Sequence, residues 1–446
     1  MKYPEHKGLD LPELDREILE RWSKDQVFES SVSSSEGKPA FNFYEGPPSA
    51  NGLPGIHHVM ARSIKDIFCR YKTLKGYQVK RKGGWDTHGL PIELGVEKTL
   101  GITKEDIGKK ISIEDYNQAC RKEVMKYKEV WDDLTRKMGY WVDLDHPYIT
   151  FENDYIESVW HLLKKLFEKD LLYKGYTIQP YSPAAGTGLS SHELNQPGAY
   201  RMVKDTSVVA QFKVIRNKQS DFLFEKTQGD VSFLAWTTTP WTLPGNCALA
   251  IGAKIKYALV KTFNPYTALP VNVILASDLL PKYFQEKAKD AFADGFQAGG
   301  KMLPWSLVDE FSGNQLLDIQ YEQLLPYVKP EGKAFVVIPG DFVTTEDGTG
   351  IVHTASVFGA DDFRVCKEQG ISSILVMDDS GQSSPVVNRQ GRFVKEITDF
   401  AGEYVKEGYL SDAEKEAERT KQGRDKYLSV DERIAIKLKT ENKAFK

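Results

Sequence analysis

The sequence predicts an α/β protein in which a nucleotide-binding unit is interrupted by an inserted β-rich domain. A short apolar strand, AFNFYE, runs directly into the Gly/Pro-rich turn GPPSANGLPGIHH, and an amphipathic helix follows. A strand, a glycine-rich turn and a helix in this order are typical of nucleotide-binding α/β units. From about residue 200 the sequence pattern changes to short apolar runs separated by Gly and Pro turns, which indicates β-rich structure.

Hydrophobic periodicity predicts the elements of the first part. Two amphipathic helices follow from apolar residues at helical spacing, one with Leu14, Ile18, Leu19 and Trp22, the other with Met60, Ile64, Ile67, Phe68 and Tyr71. The Ser/Gly-rich SSVSSSEGK between the first helix and the strand predicts a loop. A second strand, YQVKR, leads into GGWDTHGLPIE.

The later part of the chain contains a helix, a series of strands and a charged tail. Residues 151–174 are predicted to be helical, and the strand-like runs are FLAW, CALAI, YALV, VNVIL, FVVI and ILVM. From about residue 400 the sequence is highly charged and predicted helical. The predicted ranges are a first domain 1–145, a connecting segment 146–199, the inserted domain 200–400, and a helical segment 401–446 that returns towards the first domain.

Composition and charge narrow the classes of protein. The 446 residues are 41% hydrophobic and 27% charged, with no apolar stretch long enough for a membrane span and no apolar signal core, so a cytoplasmic location without a membrane partner is expected. The net charge of −4 shows no basic excess, so a nucleic-acid surface would be a local patch or lie beyond position 446. The four cysteines form no CxxC pair, which argues against a disulfide framework or a cysteine-rich zinc site.

The turn after the first strand is the first candidate site. It runs from Gly46 to His58, and two adjacent histidines stand where a helix begins, a position at which phosphates are commonly bound. Imidazole N–H groups can donate to phosphate oxygens that gain charge in a transition state, and small residues let a ligand approach the backbone. A capped helix with surface histidines fits the spacing alone equally well.

The second candidate site is GWDTHGLPIE at residues 84–93. A carboxylate beside an aromatic residue in a Gly/Pro turn after a strand, as Asp86 is beside Trp85, could bind an ammonium group. The alternative is an aspartate that caps the turn that follows it.

Two segments of the inserted domain form a third group of candidates. In WTTTPWTLPGN, residues 236–246, Pro240 and Pro244 predict a loop past a strand end, where a row of hydroxyls can bind sugar hydroxyls or position a water. The segments GTGIVHTA and FGADDF contribute His353, Asp361 and Asp362. Each feature also has an ordinary structural explanation, because threonines are common in strands, a histidine at the end of an apolar run is usually structural, and adjacent aspartates usually cap a helix.

These motifs, in this order, resemble isoleucyl-tRNA synthetases, a family of class I aminoacyl-tRNA synthetases. GPPSANGLP with its His-rich tetrad resembles the HIGH motif, WDTHGLPIE resembles the lining of the amino-acid pocket, and WTTTPWTLP with the Gly348–Asp362 segment resembles the editing pocket. The tetrad Gly55-Ile56-His57-His58 departs from the family pattern, because its first histidine and its glycine are exchanged. The resemblance implies a Rossmann-like catalytic half-domain with an inserted β-rich editing domain.

The resemblance also implies a role for each candidate residue. His57 and His58 would be catalytic, and ATP would be bound by Gly46, Pro48, Asn51, Gly52, Gly55, His57 and His58. The amino-acid pocket would contain Gly46, Pro47, His88 and Asp86, the last holding the α-amino group. The editing pocket would contain Thr237, Thr238, Thr239, Thr242, Asn246, His353 and Asp362, the last holding the ammonium of the misattached amino acid.

The implied activity is ATP-dependent activation of isoleucine and its transfer to tRNA, with hydrolytic editing of valyl-tRNA. The loss of one methylene changes the binding free energy in a hydrophobic pocket by only about 1–3 kcal/mol, and isoleucine against valine is itself the standard example. Because this difference is too small to exclude valine, a second pocket must remove it. The partners would be isoleucine, ATP with Mg²⁺ and the tRNA specific for isoleucine, and the protein would be a monomer. A stand-alone editing hydrolase and a non-catalytic tRNA-binding piece are the alternatives.

Some features of the family do not occur in this sequence. A KMSKS-type loop and an anticodon-binding region are missing, which predicts an N-terminal fragment. Ser182 and Ala185 stand where many relatives carry the cysteines of a zinc knuckle. Neither residue is a useful zinc ligand, so no zinc and no other metal site is expected.

Overall fold

The computed structural model describes residues 8–292, 295–379 and 381–446. The chain divides into two compact units, Met1–Gly175 and Tyr176–Lys446. None of the helices in the described ranges combines the length and the apolar character needed to cross a membrane.

The first unit contains a parallel sheet and a set of helices. The described strands are β1 (Ala40–Tyr44), β2 (Gln78–Trp85) and β3 (Asp143–Ile149); the helices are α1 (Leu11–Lys24), α2 (Val27–Ser33), α3 (Ile56–Leu74), α4 (Leu90–Leu100), α5 (Ile113–Val124), α6 (Lys128–Lys137) and α7 (Asn153–Phe167), with a 3-10 turn at Lys104–Asp106. β2 lies between β1 and β3 and pairs with both in parallel. The carboxyl ends of all three strands therefore meet at one edge, where α/β proteins bind ligands.

The predicted strands and helices around the first motif are confirmed. Helix α1 begins after Asp10, whose carboxylate accepts a hydrogen bond from the Glu13 N–H at 3.0 Å, and such a cap stabilises a helix start. Strand β2 is longer than the predicted YQVKR, because it continues to Trp85. The ring of Tyr148 packs directly on Gly84, where a Cβ would lie 2.2 Å from the Tyr148 ring, so this strand end requires glycine.

Two predictions for this unit are partly wrong. The predicted loop SSVSSSEGK begins inside α2, where Phe28 lies 6.2 Å from the ring of Trp141 and the Ser31 hydroxyl donates to the Phe28 carbonyl at 2.6 Å. Packing and local hydrogen bonds thus outweigh the weak helix propensity of serine. The predicted helix 151–174 ends at Phe167, and Asp170 beyond it has a φ of 56°, which a right-handed helix cannot accommodate.

The second unit is rich in strands. They are β4 (Tyr181–Ser182), β5 (Thr187–Gly188), β6 (Val208–Lys213), β7 (Val231–Thr237), β8 (Ala248–Ile251), β9 (Lys256–Phe263), β10 (Pro270–Ala276), β11 (Trp305–Ser312), β12 (Val336–Pro339), β13 (Ile351–Thr354), β14 (Leu375–Met377) and β15 (Ser383–Pro385). The helices are α8 (Ser191–Leu194), α9 (Leu280–Tyr283), α10 (Gly313–Leu316), α11 (Ala360–Glu368), α12 (Asp412–Lys421) and α13 (Val430–Thr440). Short 3-10 turns lie at Asp221–Leu223, Pro240–Gly245, Ser277–Leu279, Glu286–Ala288 and Glu407–Tyr409.

Eight of the described strands form one sheet in the order β11–β9–β10–β7–β13–β8–β12, with β6 paired to β7. The six predicted strand-like runs are confirmed, and ILVM lies in the separate ribbon of β14 and β15. Successive residues of a strand point to opposite faces, so Phe233 joins one apolar cluster and Leu234 joins another. The sheet is therefore buried on both faces, which explains continuous apolar runs such as FLAW.

The charged segment after residue 400 is helical, as predicted, in α12 and α13. Helix α13 buries Ile434 and Leu438 in the larger apolar cluster. After it, the Phe445 N–H donates to the Val209 carbonyl at 2.7 Å, and the Val209 N–H donates to the Lys446 carbonyl at 2.7 Å. Helix α13 and the residues after it pack within the second unit. The return of this segment towards the first domain stays a prediction.

Candidate functional site

The first candidate site lies at the carboxyl edge of the parallel sheet. Glu45 follows β1, Asp86 follows β2 and Thr150 follows β3. The Asp86 N–H donates to the Pro48 carbonyl at 3.1 Å, and the Thr87 N–H donates to the Thr150 hydroxyl at 3.0 Å. The two motifs predicted in this unit therefore lie side by side.

The Gly/Pro-rich loop after β1 is anchored through its backbone. The Tyr127 N–H donates to the Ala50 carbonyl at 2.8 Å, and the Trp131 indole N–H donates to the Gly52 carbonyl at 2.8 Å. Ala50 and Trp131 are buried. The remaining predicted ATP-binding and pocket residues of the loop are exposed or half-buried: Gly46, Pro47, Pro48, Asn51, Gly52 and Gly55. They form the open surface of a fixed loop.

His57 and His58 lie in the first turn of α3, with ring centroids 3.8 Å apart. The Gly55 N–H donates to His58 Nδ1 at 2.9 Å, so a neutral His58 carries its proton on Nε2. Burial, and after it the charges of His57 and Arg62, lower the pKa of His58 below its ordinary value. His58 is therefore a neutral N–H donor at physiological pH, and His57 is exposed beside it.

Trp131 lies behind the histidine pair. Its ring is 4.7 Å from the His58 ring in an edge-to-face arrangement, and the Arg62 guanidinium lies 4.9 Å from the Trp131 ring centroid. Arg62 also donates to the Thr135 hydroxyl at 2.5 Å. The sequence motifs do not include these residues, although a tryptophan in the highly charged helix KEVWDDLTRK indicates a buried face.

Asp86 and His88 form the turn after β2. Asp86 Oδ1 accepts from the His88 N–H at 3.2 Å, which is the capping contact that the structural alternative predicts. His88 is exposed, and its Nδ1 lies 3.0 Å from the Thr150 hydroxyl. Because a carboxylate has a second oxygen with free acceptor capacity, this cap and a ligand ammonium on Asp86 are compatible.

Glu45, which ends the predicted strand AFNFYE, is a buried carboxylate at the start of the loop. It accepts from Lys65 Nζ at 2.5 Å and from the Tyr140 hydroxyl, and its carbonyl accepts from the Tyr148 hydroxyl. Burial, with the hydrogen bond to Glu45, raises the pKa of Tyr140 above its ordinary range. These contacts fix the strand end from which the loop departs. A lone glutamate after a strand carries no sequence signal for such a network.

The second candidate site lies in the second unit, where strand pairing brings two distant segments together. β13 pairs in parallel with β7 through Val352 and Trp236, and it pairs antiparallel with β8. The threonine peptide follows β7, and His353 lies near the end of β13. As a result, the side chains of Thr242 and His353 meet although they are 111 residues apart in sequence.

The predicted pocket residues share a chain of hydrogen-bonding atoms. Thr242 Oγ1 lies 2.9 Å from His353 Nε2, and Asn246 Nδ2 lies 2.8 Å from His353 Nδ1. Thr239 Oγ1 lies 3.3 Å from Thr242 Oγ1 and 3.2 Å from Thr237 Oγ1. Of the predicted threonines, Thr238 is the exposed one. Burial lowers the pKa of His353 to about 4, so this histidine is neutral at physiological pH.

Asp362 faces the end of β13 from the first turn of α11. Its Oδ2 accepts from the Ala355 N–H at 2.8 Å, and burial raises its pKa above the ordinary value. The neighbouring Asp361 is exposed and lies 3.4 Å from the Arg364 guanidinium. Adjacent aspartates thus have different surroundings, and of the two it is Asp362 that bonds to the backbone two residues after His353.

Apolar contacts join the same two segments. The Trp241 ring lies 5.0 Å from the ring of Phe358 in an edge-to-face arrangement. Gly245 leaves room for Phe358, because a Cβ at this position would lie 2.9 Å from the phenyl ring. The loop that precedes Asp362 therefore packs on the 3-10 turn that carries Thr242.

The segment that resembles a zinc knuckle forms a small hairpin of β4 and β5. Its turn is closed by the Ala185 N–H, which donates to the Ser182 hydroxyl at 3.2 Å. Within the described ranges, no group of three or more His, Cys, Asp or Glu side chains is arranged to hold a metal ion. The expectation that the protein binds no zinc stays a prediction.

Known proteins match this chain along its whole length. An isoleucine–tRNA ligase of Cytophaga hutchinsonii is 66% identical over 446 residues, covering 100% of this chain and 40% of the relative. Isoleucine–tRNA ligases of Bacteroides thetaiotaomicron and Clostridium tetani are 53% and 43% identical, covering 100% and 90% of this chain and 40% and 36% of the relatives. The chain thus spans about 40% of the length of the first of these relatives.

The chain is also similar to a solved editing domain and matches one family model. The cytosolic leucyl-tRNA synthetase editing domain of P. knowlesi is 14% identical, covers 55% of this chain and 97% of that domain, and has a TM-score of 0.33, which is too low to establish a common fold. The sequence model described as "tRNA synthetases class I (I, L, M and V)" matches residues 17–381. Because this match covers most of the chain, the chain belongs to the class I tRNA synthetases of the I, L, M and V group.

Proposed function

We propose that this chain is the N-terminal part of an isoleucine–tRNA ligase, and that its second unit edits valyl-tRNA by hydrolysis. The observation that carries the proposal is the contact of the threonine peptide with His353, together with the bond of Asp362 to the backbone two residues after that histidine. The 66% identity to an isoleucine–tRNA ligase favours isoleucine over the other amino acids of the family.

In the first unit, the proposed substrates are ATP with Mg²⁺ and isoleucine. The anchored loop, with Gly46, Pro48, Asn51, Gly52 and Gly55, would receive the nucleotide. His57 and the Nε2–H of His58 would donate to phosphate oxygens at a helix N-terminus, where negative charge is favoured.

The amino-acid pocket is proposed to lie beside the nucleotide. Asp86 would hold the α-amino group of isoleucine through the carboxylate oxygen that does not cap the turn. Gly46, Pro47 and His88 would form the walls. The hydrogen bond from the Asp86 backbone N–H to the Pro48 carbonyl supports this placement, because it joins the two motifs directly.

In the second unit, Asp362 would accept the ammonium of a misattached valine, because charge-assisted hydrogen bonds are the stronger kind. Thr237, Thr238, Thr239, Thr242, Asn246 and His353 would shape the pocket around the ester. The neutral His353 is not a source of positive charge there. Hydrolysis would use a water positioned by these side chains.

The proposal extends to organisation, partners and location. Residues 1–145 would hold the first half of the catalytic domain, 146–199 the connection, 200–400 the editing domain and 401–446 the return segment. The tRNA specific for isoleucine would be the macromolecular partner. The protein would act as a monomer in the cytoplasm.

A stand-alone editing hydrolase is the alternative proposal. Such an enzyme has no use for a nucleotide loop. Three carbonyls of the Gly/Pro-rich loop accept hydrogen bonds here, from the backbone N–H groups of Asp86 and Tyr127 and from the Trp131 indole N–H. The histidine pair lies beside the loop. That degree of order favours the ligase.

The test is deacylation by the purified 446-residue chain. Isoleucine-specific tRNA is charged with valine or with isoleucine, and the release of each amino acid is followed at equal enzyme concentration. Valine should be released about 10- to 200-fold faster, the range that one methylene provides. Equal rates for the two esters, or release of neither above the uncatalysed rate, would refute the proposal. Leucine-specific tRNA charged with leucine is the matched substrate control.

A further inference from the structure

Tyr321 carries a buried hydroxyl next to the second candidate site. The residue is 1% exposed, and its ring packs edge-to-face on Phe212 at 5.4 Å. Its N–H donates to the Phe335 carbonyl at 3.0 Å. Burial raises the pKa of Tyr321 well above its ordinary value, so the phenol keeps its proton. This hydroxyl is therefore a rigidly held hydrogen-bond donor.

The partner of Tyr321 is the side-chain amide of Asn246. The Tyr321 hydroxyl donates to Asn246 Oδ1 at 2.8 Å. Asn246 Nδ2 faces the Ala248 carbonyl at 3.0 Å and His353 Nδ1 at 2.8 Å. A flipped amide would turn its carbonyl towards the Ala248 carbonyl and leave the Tyr321 O–H without an acceptor, and both changes are costly in a buried site. The amide therefore has one favoured orientation.

That orientation determines the tautomer of His353. Because the amide nitrogen of Asn246 can only donate, His353 Nδ1 must accept, and the proton of the neutral ring lies on Nε2. The Nε2–H then donates to Thr242 Oγ1 at 2.9 Å, and the Thr242 hydroxyl donates to the Thr239 carbonyl at 2.8 Å. Every hydrogen bond from Tyr321 to Thr239 thus runs in one direction.

We propose that Tyr321 is a positioning residue that, through Asn246, holds His353 as the Nε2–H tautomer and so sets the direction of the hydrogen bonds along the threonine peptide. The proposal rests on the editing function proposed above. In the opposite tautomer, Nε2 of His353 would accept from Thr242, and the Thr242 hydroxyl would leave the Thr239 carbonyl. The Thr239 carbonyl would then lose its donor, and Thr242 Oγ1 would no longer accept from His353, so the wall of the pocket would present two free acceptors that are now paired.

The variant Tyr321→Phe tests this directly, because it keeps the packed ring and removes only the hydroxyl. The full 446-residue chain is labelled with ¹⁵N-histidine, and the ring signals of His353 are identified by their loss in His353→Gln. Wild type should show a protonated Nε2 and a bare Nδ1. Tyr321→Phe should show averaged nitrogen shifts from a mixture of tautomers, and its kcat for valyl-tRNA deacylation should fall about five- to tenfold with KM unchanged.

Tyr327→Phe is the matched control. Its hydroxyl donates to Asp399 at 2.6 Å and has no contact with Asn246, so both the His353 spectrum and kcat should be those of wild type. A protonated Nδ1 in wild type overturns the proposal even if Tyr321→Phe does not fold. An unchanged tautomer in Tyr321→Phe, or a changed tautomer with unchanged kcat, also overturns it. Absence of deacylation by every variant, with the tautomer shift present, would refute the proposed hydrolysis and support the positioning of His353.

Discussion

Replacing Asp362 by asparagine separates the hydrogen bond that this side chain makes to the Ala355 N–H from its negative charge. Asparagine keeps an oxygen that can accept from the Ala355 N–H, the contact that Asp362 Oδ2 makes at 2.8 Å, but it has no negative charge. A hydrogen bond to a charged group contributes about 1.5–3 kcal/mol. Since about 1.4 kcal/mol is a factor of ten, Asp362→Asn should lower kcat/KM for valyl-tRNA deacylation about 10- to 150-fold with little change in stability.

Asp362→Ala removes both contributions. It should show a similar loss of activity and should also be destabilised by about 1–3 kcal/mol, because the N–H of the buried Ala355 loses its acceptor. Deacylation and urea unfolding of the two variants, measured at equal folded concentration, distinguish the charge from the structural hydrogen bond.

Asp361→Asn is the control for this pair. Asp361 is exposed and pairs with Arg364 at the surface, and exposed ion pairs contribute little, so activity and stability should stay close to wild type. If Asp361→Asn is the inactive variant and Asp362→Asn is active, the anchor is assigned to the wrong aspartate. Full activity in both would show that neither carboxylate anchors the substrate ammonium.

Further predictions concern pH, activation and metal content. Burial lowers the pKa of His353 from 6.5 to about 4. Because the pKa is lower in the folded state, the unfolded state binds this proton first as the pH falls. The free energy of unfolding therefore has its full value above pH 6.5 and decreases as the pH falls towards 4. Urea unfolding should show wild type losing on the order of 3 kcal/mol more than His353→Gln between pH 7 and 4, and parallel pH profiles would contradict this. The 446-residue chain should not support isoleucine-dependent ATP–pyrophosphate exchange at a useful rate, because this sequence lacks the KMSKS-type loop that would clamp the triphosphate; robust exchange would refute this. Elemental analysis of metal-replete protein should find well below one zinc per chain, because Ser182 and Ala185 supply no thiolate, and a stoichiometric zinc would show that the knuckle assignment is mistaken.

Most of the local elements could be predicted from residue patterns alone. Runs such as AFNFYE, FLAW and VNVIL predict strands correctly, because hydrophobic patterning is a property of neighbouring residues. The chemical groups that the motifs supply, such as imidazoles, hydroxyls and carboxylates, can likewise be identified without knowledge of the fold. Where local patterning was misleading, as at Ser30–Ser33 in α2, a tertiary contact, that of Phe28 with Trp141, explains the difference.

The sequence does not show which of Asp361 and Asp362 is buried. Neighbouring helix residues point about 100° apart, so one of two adjacent aspartates faces the unit and the other faces solvent. The sequence contains both carboxylates but not the rotation of α11 about its axis. Packing decides that rotation, because Val365 and Cys366 of the same helix are buried in the apolar cluster.

The contacts between polar groups of distant segments could not be predicted from the sequence, because they depend on the fold. The pairing of β13 with β7 and β8 places His353 against Thr242 and Asn246, and Tyr321 reaches Asn246 from a different segment. A buried polar group must find a partner wherever the fold provides one, and that partner need not be near in sequence. Motifs could therefore name His353 and Asn246, whereas the fold alone brings the Tyr321 hydroxyl to Asn246.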